Sequence, residues 1–207
     1  MGERGVGKTE ILKNLSKINS SKFKIITPEN VNITNEFNDN NNIIEGISLE
    51  FTSEEKEYLI KIWNYCYISD TRLINDFMHK ADAFIIVYSI IDKNSFNNIQ
   101  KWINELKENS PKDTVYCFIG NKSDLIDDRM VAYEEIKDFV KDDLYYEVSS
   151  KNGNNVSLAF EQLVYKIIEK QKEEEDNPDK VIRGLEGRKT TDLKGFENDM
   201  KKKKKCC

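Results

Sequence analysis

The stretch GERGVGKT, from Gly2 to Thr9, carries three glycines ahead of a lysine and a hydroxyl residue. Glycine at Gly2 and Gly7 lets the backbone bend until successive N–H groups, from Gly5 and Val6 through Gly7, Lys8 and Thr9, converge on one anion. Lys8 adds a positive charge suited to the β- and γ-phosphates of a nucleotide, and Thr9 offers a hydroxyl to Mg²⁺. Ile11, Leu12, Leu15 and Ile18 then recur at helical spacing. A helix that begins at the loop directs the positive end of its dipole at the same phosphates.

A second candidate lies at GNKSD, Gly120 to Asp124. A carboxylate here can accept two hydrogen bonds from N1 and N2 of guanine, which adenine cannot supply. Asp124 is therefore predicted to select guanine, with Asn121 and Lys122 bracing the loop and stacking along the base. SSK, Ser149 to Lys151, is the third segment. GTP, GDP and Mg²⁺ are the predicted ligands.

These segments need a frame that brings them to one edge. ADAFIIVYSI and TVYCFIG are continuous apolar runs expected of buried strands, and LYYEVS is a third strand. Between them SFNNIQKWINELKEN sets Phe96, Ile99, Trp102, Ile103 and Leu106 at helical spacing, with Ser95 as its expected cap. AYEEIKDFV reads as a short helix. NVSLAFEQLVYKIIEK reads as a longer one, with Val156, Phe160, Leu163, Ile167 and Ile168 on one stripe. GISLEF and EYLIKIW suggest a hairpin about TSEEK, and PENVNITNEFNDNNN reads as a polar loop. Strands alternating with helices predict an α/β fold whose mostly parallel sheet is covered on both faces, with ligands at one edge. Trp63 and Trp102 are expected to pack in the core or against helices, and His79 to lie on a helix surface. Residues 1–175 read as the folded domain and 176–207 as a tail ending KKKKKCC.

Composition narrows the partners. The 207 residues carry a formal net charge of −5, so no overall basicity argues for nucleic acid. No run approaches the ~18 apolar residues of a membrane span, and the N-terminus has no signal-peptide pattern. Cys66 and Cys117 sit in apolar segments and read as buried, inert thiols; the other two cysteines end the chain. Nothing in their spacing suggests a disulfide framework or a metal site.

Taken in order and spacing, GERGVGKT, NKSD and SSK resemble the Ras-like small GTPases. ADAFIIVYSI, SFNNIQKWINELKEN, IGNKSDL, EVSSKNGNNVSLAFEQL and the terminal CC look like the Rab branch. The resemblance implies a P-loop, Ras-like G domain and a GTP-dependent switch in vesicle traffic. It implies in-line attack of water on the γ-phosphate, with Lys8, Thr9 and Mg²⁺ stabilising charge. It assigns the backbone N–H of Ser150 to guanine O6. Both terminal thiols, Cys206 and Cys207, would be geranylgeranylated and hold the chain on the cytosolic face of an endomembrane. Two lipid chains give durable attachment where one is marginal, and the lysines add about 1 kcal/mol each near an anionic leaflet. Prenyl-escort proteins, exchange factors and effectors are the implied partners.

The chain departs from that family at WNYCYIS, where the family reads WDTAGQE. Asn64 stands in place of the aspartate, Tyr67 of the glycine and Ile68 of the glutamine. An amide brings no charge to the metal's water shell, and isoleucine cannot orient water, so hydrolysis is predicted to be very slow. For the metal-binding threonine, one count of family spacing lands on Thr27 and another on Ile44, with Thr34 between. The strand that normally precedes the phosphate loop is also missing, so residues upstream of Met1 are expected to belong to the fold. Two alternatives stand beside the switch: a hydrolysis-deficient, membrane-anchored binding module, and an ATP-using kinase, against which Asp124 and the tail argue.

Overall fold

A computed structural model describes residues 1–18, 22–25, 36–38, 42–66, 78–140 and 143–175. Thr27, Thr34, Tyr67, Ile68 and the tail with Cys206 and Cys207 lie outside the described residues, so the expectations placed on them are carried by sequence alone.

Three parallel strands form the ladder predicted from the apolar runs: β5 (Ala83–Ser89), β6 (Val115–Asn121) and β7 (Leu144–Glu147), with β6 in the middle. Helices α2 (Lys93–Asn97), α3 (Ile99–Asn109), α4 (Tyr133–Val140) and α5 (Val156–Glu175) make the crossovers and the closing segment. Ile86, Tyr88, Phe118, Ile103, Leu106 and Ile136 share one buried cluster. Each such side chain contributes roughly 1.5–3 kcal/mol through burial.

The remaining strands are antiparallel. β3 (Asn42–Ser53) pairs with β4 (Lys56–Cys66), and also with β1 (Phe23–Ile25) and β2 (Glu36–Asn38). The hairpin fits the sequence reading and turns on Glu54 and Glu55, whose φ angles of 49° and 63° are those of a tight turn matched to strand twist. Neither β1 nor β2 was expected, and β2 falls inside the asparagine-rich stretch read as loop. Three residues are too few for periodicity to show; pairing to a long neighbour creates these strands. Helix α1 (Lys8–Leu15) lies against β3 and β4, with Ile11, Leu12 and Leu15 buried as predicted. Phe51 is fully buried, 4.8 Å from the Phe23 ring and 5.3 Å from that of Tyr165 on α5.

Two local expectations are corrected. Ser95 caps no helix. Asp92 accepts from the N–H groups of Asn94 and Ser95 at 3.0 and 3.2 Å, while the Ser95 hydroxyl accepts from the Ser89 N–H. Trp63 is 40% exposed rather than core. Strand parity decides this, because β4 buries Asn64 and must turn its neighbour to the other face. His79 is exposed, as expected. Cys117 is buried, and burial pushes its thiol up to about 12.

Met1 lies along the free side of β5. Its ammonium donates to the Ile85 carbonyl at 2.6 Å, and its carbonyl accepts from the Val87 N–H at 2.9 Å. This is the bond pattern of parallel pairing opposite Ile86. The chain falls into two units, Met1–Ile167 and Ile168–Cys207; the described part of the second unit is the end of α5.

Candidate nucleotide site

The phosphate loop follows Met1 from the flank of β5 at Gly2, where φ is 135° and a Cβ would stand 2.1 Å from the Val87 carbonyl oxygen. It enters α1 through Gly7, a left-handed cap at φ 99° that offers no side-chain hydrogen bond to the helix N-terminus. A Cβ on Gly7 would collide with the Asn121 amide at 2.1 Å. Only glycine serves at either position. The N-terminus of α1, uncapped by any side chain, is the end of a helix that favours an anion. Lys8 is folded back over the loop, its Nζ donating to the carbonyls of Gly2 at 2.8 Å and Glu3 at 2.7 Å. Those two carbonyls fix the ammonium over the loop that the anion would occupy.

Asn121, at the end of β6, is fully buried and joins the phosphate loop to the SSK loop. Its Nδ2 donates to the Val6 carbonyl at 2.7 Å and to Ser150 Oγ at 2.9 Å. Its Oδ1 accepts from the Ser150 N–H at 2.9 Å. The N–H that the resemblance assigns to guanine O6 is therefore engaged with Asn121 here. Through these bonds Asn121 braces the loop. Lys122 follows in a left-handed conformation, φ 69°, that turns the chain after the strand.

Asp124 is fixed from the SSK side. Ser149 Oγ donates to its Oδ1 at 2.6 Å, and Lys151 Nζ stands 4.0 Å from Oδ2. The Ser149 hydrogen bond is the chief reason the carboxyl lies below the usual carboxylate range; burial opposes it, and Lys151 and Lys122 assist. Asp124 is thus a charged acceptor, poised for two N–H donors on one edge of a ring.

Sequence reasoning missed Asn14. Its Nδ2 donates to the Ser150 carbonyl and, at 2.9 Å, to the Glu10 carbonyl. Lying between two apolar helix positions, it reads in sequence as an ordinary solvent-facing residue. Only the fold reveals what stands opposite it.

On the metal side, Asn64 is buried on β4 with its Nδ2 3.1 Å from Thr9 Oγ1. The Thr9 hydroxyl fits a ligand position for Mg²⁺, a cation that takes oxygen ligands. Asn64 brings a neutral amide rather than a charge. Among the described residues no group of three or more His, Cys, Asp or Glu side chains could hold a metal ion.

The family model described as Ras family matches residues 1–169. The chain is 30% identical over 171 residues to Ras-related protein Rab-11B of Dictyostelium discoideum, covering 79% of this chain and 69% of that protein. It is 26% identical over 216 residues to GTP-binding protein ypt3 of Schizosaccharomyces pombe, covering 100% and 93% respectively. GTP-binding protein ypt1 of the same yeast is 33% identical over 114 residues, 53% of this chain and 56% of that protein. With phosphate loop, NKSD and SSK segments joined through Asn121, the chain belongs to the Ras family, as a Rab-like small GTPase.

Proposed function

We propose that the chain is a guanine-nucleotide switch in vesicle-mediated transport, binding GTP and GDP through the N–H groups of Gly5 to Thr9, with Lys8 on the phosphates and Asp124 on guanine. The observation that carries this reading is the double tie of the SSK loop: Asn121 links it to the phosphate loop while Ser149 holds the Asp124 carboxylate. One nucleotide can then meet both ends of the site. Mg²⁺, when it arrives with the nucleotide, screens phosphate charge, and Thr9 is the residue that would hold it. Lys8, already fixed over the loop, stabilises negative charge on the phosphates. Asn64 and Ile68 supply neither charge nor water orientation, which supports slow hydrolysis.

Equilibrium binding of GDP, GTP, ATP and xanthosine diphosphate tests the assignment. The wild-type chain is expected to prefer guanine over adenine by roughly 10⁴-fold, as a site built to bond N–H donors does. Asp124→Asn should move the preference toward xanthine, whose C2 carries an oxygen in place of the amino group. Equal affinity for GDP and ATP would remove the reading.

The KKKKKCC terminus supports a lipid anchor on Cys206 and Cys207 and a place on the cytosolic face of an endomembrane, with escort, exchange and effector proteins as partners. Replacing both cysteines by serine is expected to shift the protein from the membrane pellet to the soluble fraction. An unchanged distribution would refute the anchor.

A further inference from the structure

We propose that Asn14 is a positioning residue for guanine recognition: from helix α1 it holds the SSK loop in register, coupling the phosphate end of the site to the base end. This rests on the guanine-nucleotide reading above.

Ser150 is gripped on every polar group it has. Its N–H and hydroxyl are engaged by Asn121, and its carbonyl accepts from Asn14 Nδ2. Asn121 reaches this loop from β6, whereas Asn14 reaches it from the last turn of helix α1. The same Asn14 Nδ2 bonds the Glu10 carbonyl one turn earlier, so the side chain is anchored to its own helix. Across the loop, a Cβ built on Gly153 would stand 3.1 Å from Asn14 Oδ1, so Gly153 leaves room for the amide. A side chain held at both nitrogen bonds and bordered on its oxygen side transmits position. If α1 shifts as phosphates bind, the Ser150 carbonyl moves with it.

What Ser150 carries explains the consequence for the base. Ser149 precedes it and donates to Asp124; Lys151 follows it and faces the other Asp124 oxygen. Releasing the Ser150 carbonyl therefore loosens the two groups that orient the guanine-reading carboxylate. Lys8 is fixed instead by the Gly2 and Glu3 carbonyls, without Ser150. Asn14 is thus expected to matter for base selection more than for phosphate affinity.

The test uses the full chain and a fluorescent GDP, with GDP and ADP affinities measured by competition. Wild-type binding of GDP is established first; failure there overturns the guanine-nucleotide reading itself, not only the role of Asn14. Asn14→Ala is expected to weaken GDP and speed its release by about tenfold, while ADP affinity stays within about twofold. Asn14→Asp sets a carboxylate oxygen against the Ser150 carbonyl and should release GDP faster still. Asn14→Gln keeps the donor and should restore part of the loss. The melting temperature of the nucleotide-free Ala variant should stay within about 2 °C of wild type. Unchanged GDP release in Asn14→Ala, or equal weakening of GDP and ADP, overturns the proposal. Should the Asp variant fail to fold, the Ala and Gln pair still decides it.

Discussion

Asp124 is held at both carboxylate oxygens, and in the proposed function its charge state sets when guanine can bind. Its lowered pKa means the charged form persists above the ordinary carboxylate value and is lost only as pH falls through the lower folded value. GDP affinity is therefore expected to be flat from about pH 8 to pH 5 and to weaken only below about pH 4. Ser149→Ala removes the largest cause of the depression, so the fall should begin at higher pH. Identical profiles for wild type and Ser149→Ala, measured by equilibrium binding, would contradict this account. The candidacy of Asp124, Lys8 and Asn121 was legible in the sequence, because side-chain chemistry and spacing state what each can bond. The partner of each was not: that Ser149 rather than Lys151 dominates at Asp124 depends on hydroxyl geometry after the last strand.

At the scale of elements, the β3–β4 hairpin turns on two L-residues in the left-handed region, Glu54 and Glu55. A left-handed L-residue costs roughly 1–2 kcal/mol, part of which glycine recovers after its own entropic cost. Glu55→Gly should stabilise the protein by about 0.5–1 kcal/mol, read as a rise in melting temperature. A fall would show that the Glu55 side chain contributes more than its backbone costs. The hairpin was visible in sequence because two alternating runs flank a polar stretch. Its register was not. Eleven pairs run from Ile43–Cys66 to Ser53–Lys56, and that register buries Asn64 and turns Trp63 outward. In isolation, either parity of an apolar run with an Asn in it is plausible; contact with Thr9 on α1 selects one.

Across the whole molecule, the parallel ladder is tied to its connections by a network centred on Glu147. Arg129 donates to it through both terminal nitrogens, at 2.8 and 2.5 Å, and Tyr145 donates at 2.7 Å. The Tyr145 hydroxyl lies 3.0 Å from that of Tyr88, whose own pKa is pushed up to about 12 by burial. Burial acts against the Glu147 charge, but Arg129 and Tyr145 outweigh it and hold the carboxyl below its usual range. Its contribution to stability is therefore present above the ordinary glutamate pKa and lost as pH falls through the lowered folded value. Glu147→Gln should cost about 2 kcal/mol at neutral pH, lowering the melting temperature by roughly 4–8 °C. The two proteins should converge below about pH 3–4. A gap that persists in acid would mean the loss is one of packing rather than charge.

The sequence by itself determined the chemistry on offer and the run of the parallel strands: glycines that can bend a loop around an anion, a lysine, a carboxylate able to accept from a base, and apolar segments too continuous to lie on a surface. Each of these is a property of residue type or of short-range period, which a chain carries whether or not it is folded. Tertiary structure alone decided which groups meet. Asn14 under Ser150, Asn64 beside Thr9 and Asn121 against Val6 are pairs separated by long stretches of chain. An asparagine has both a donor and an acceptor, so its type leaves its partner open until packing brings one within about 3 Å.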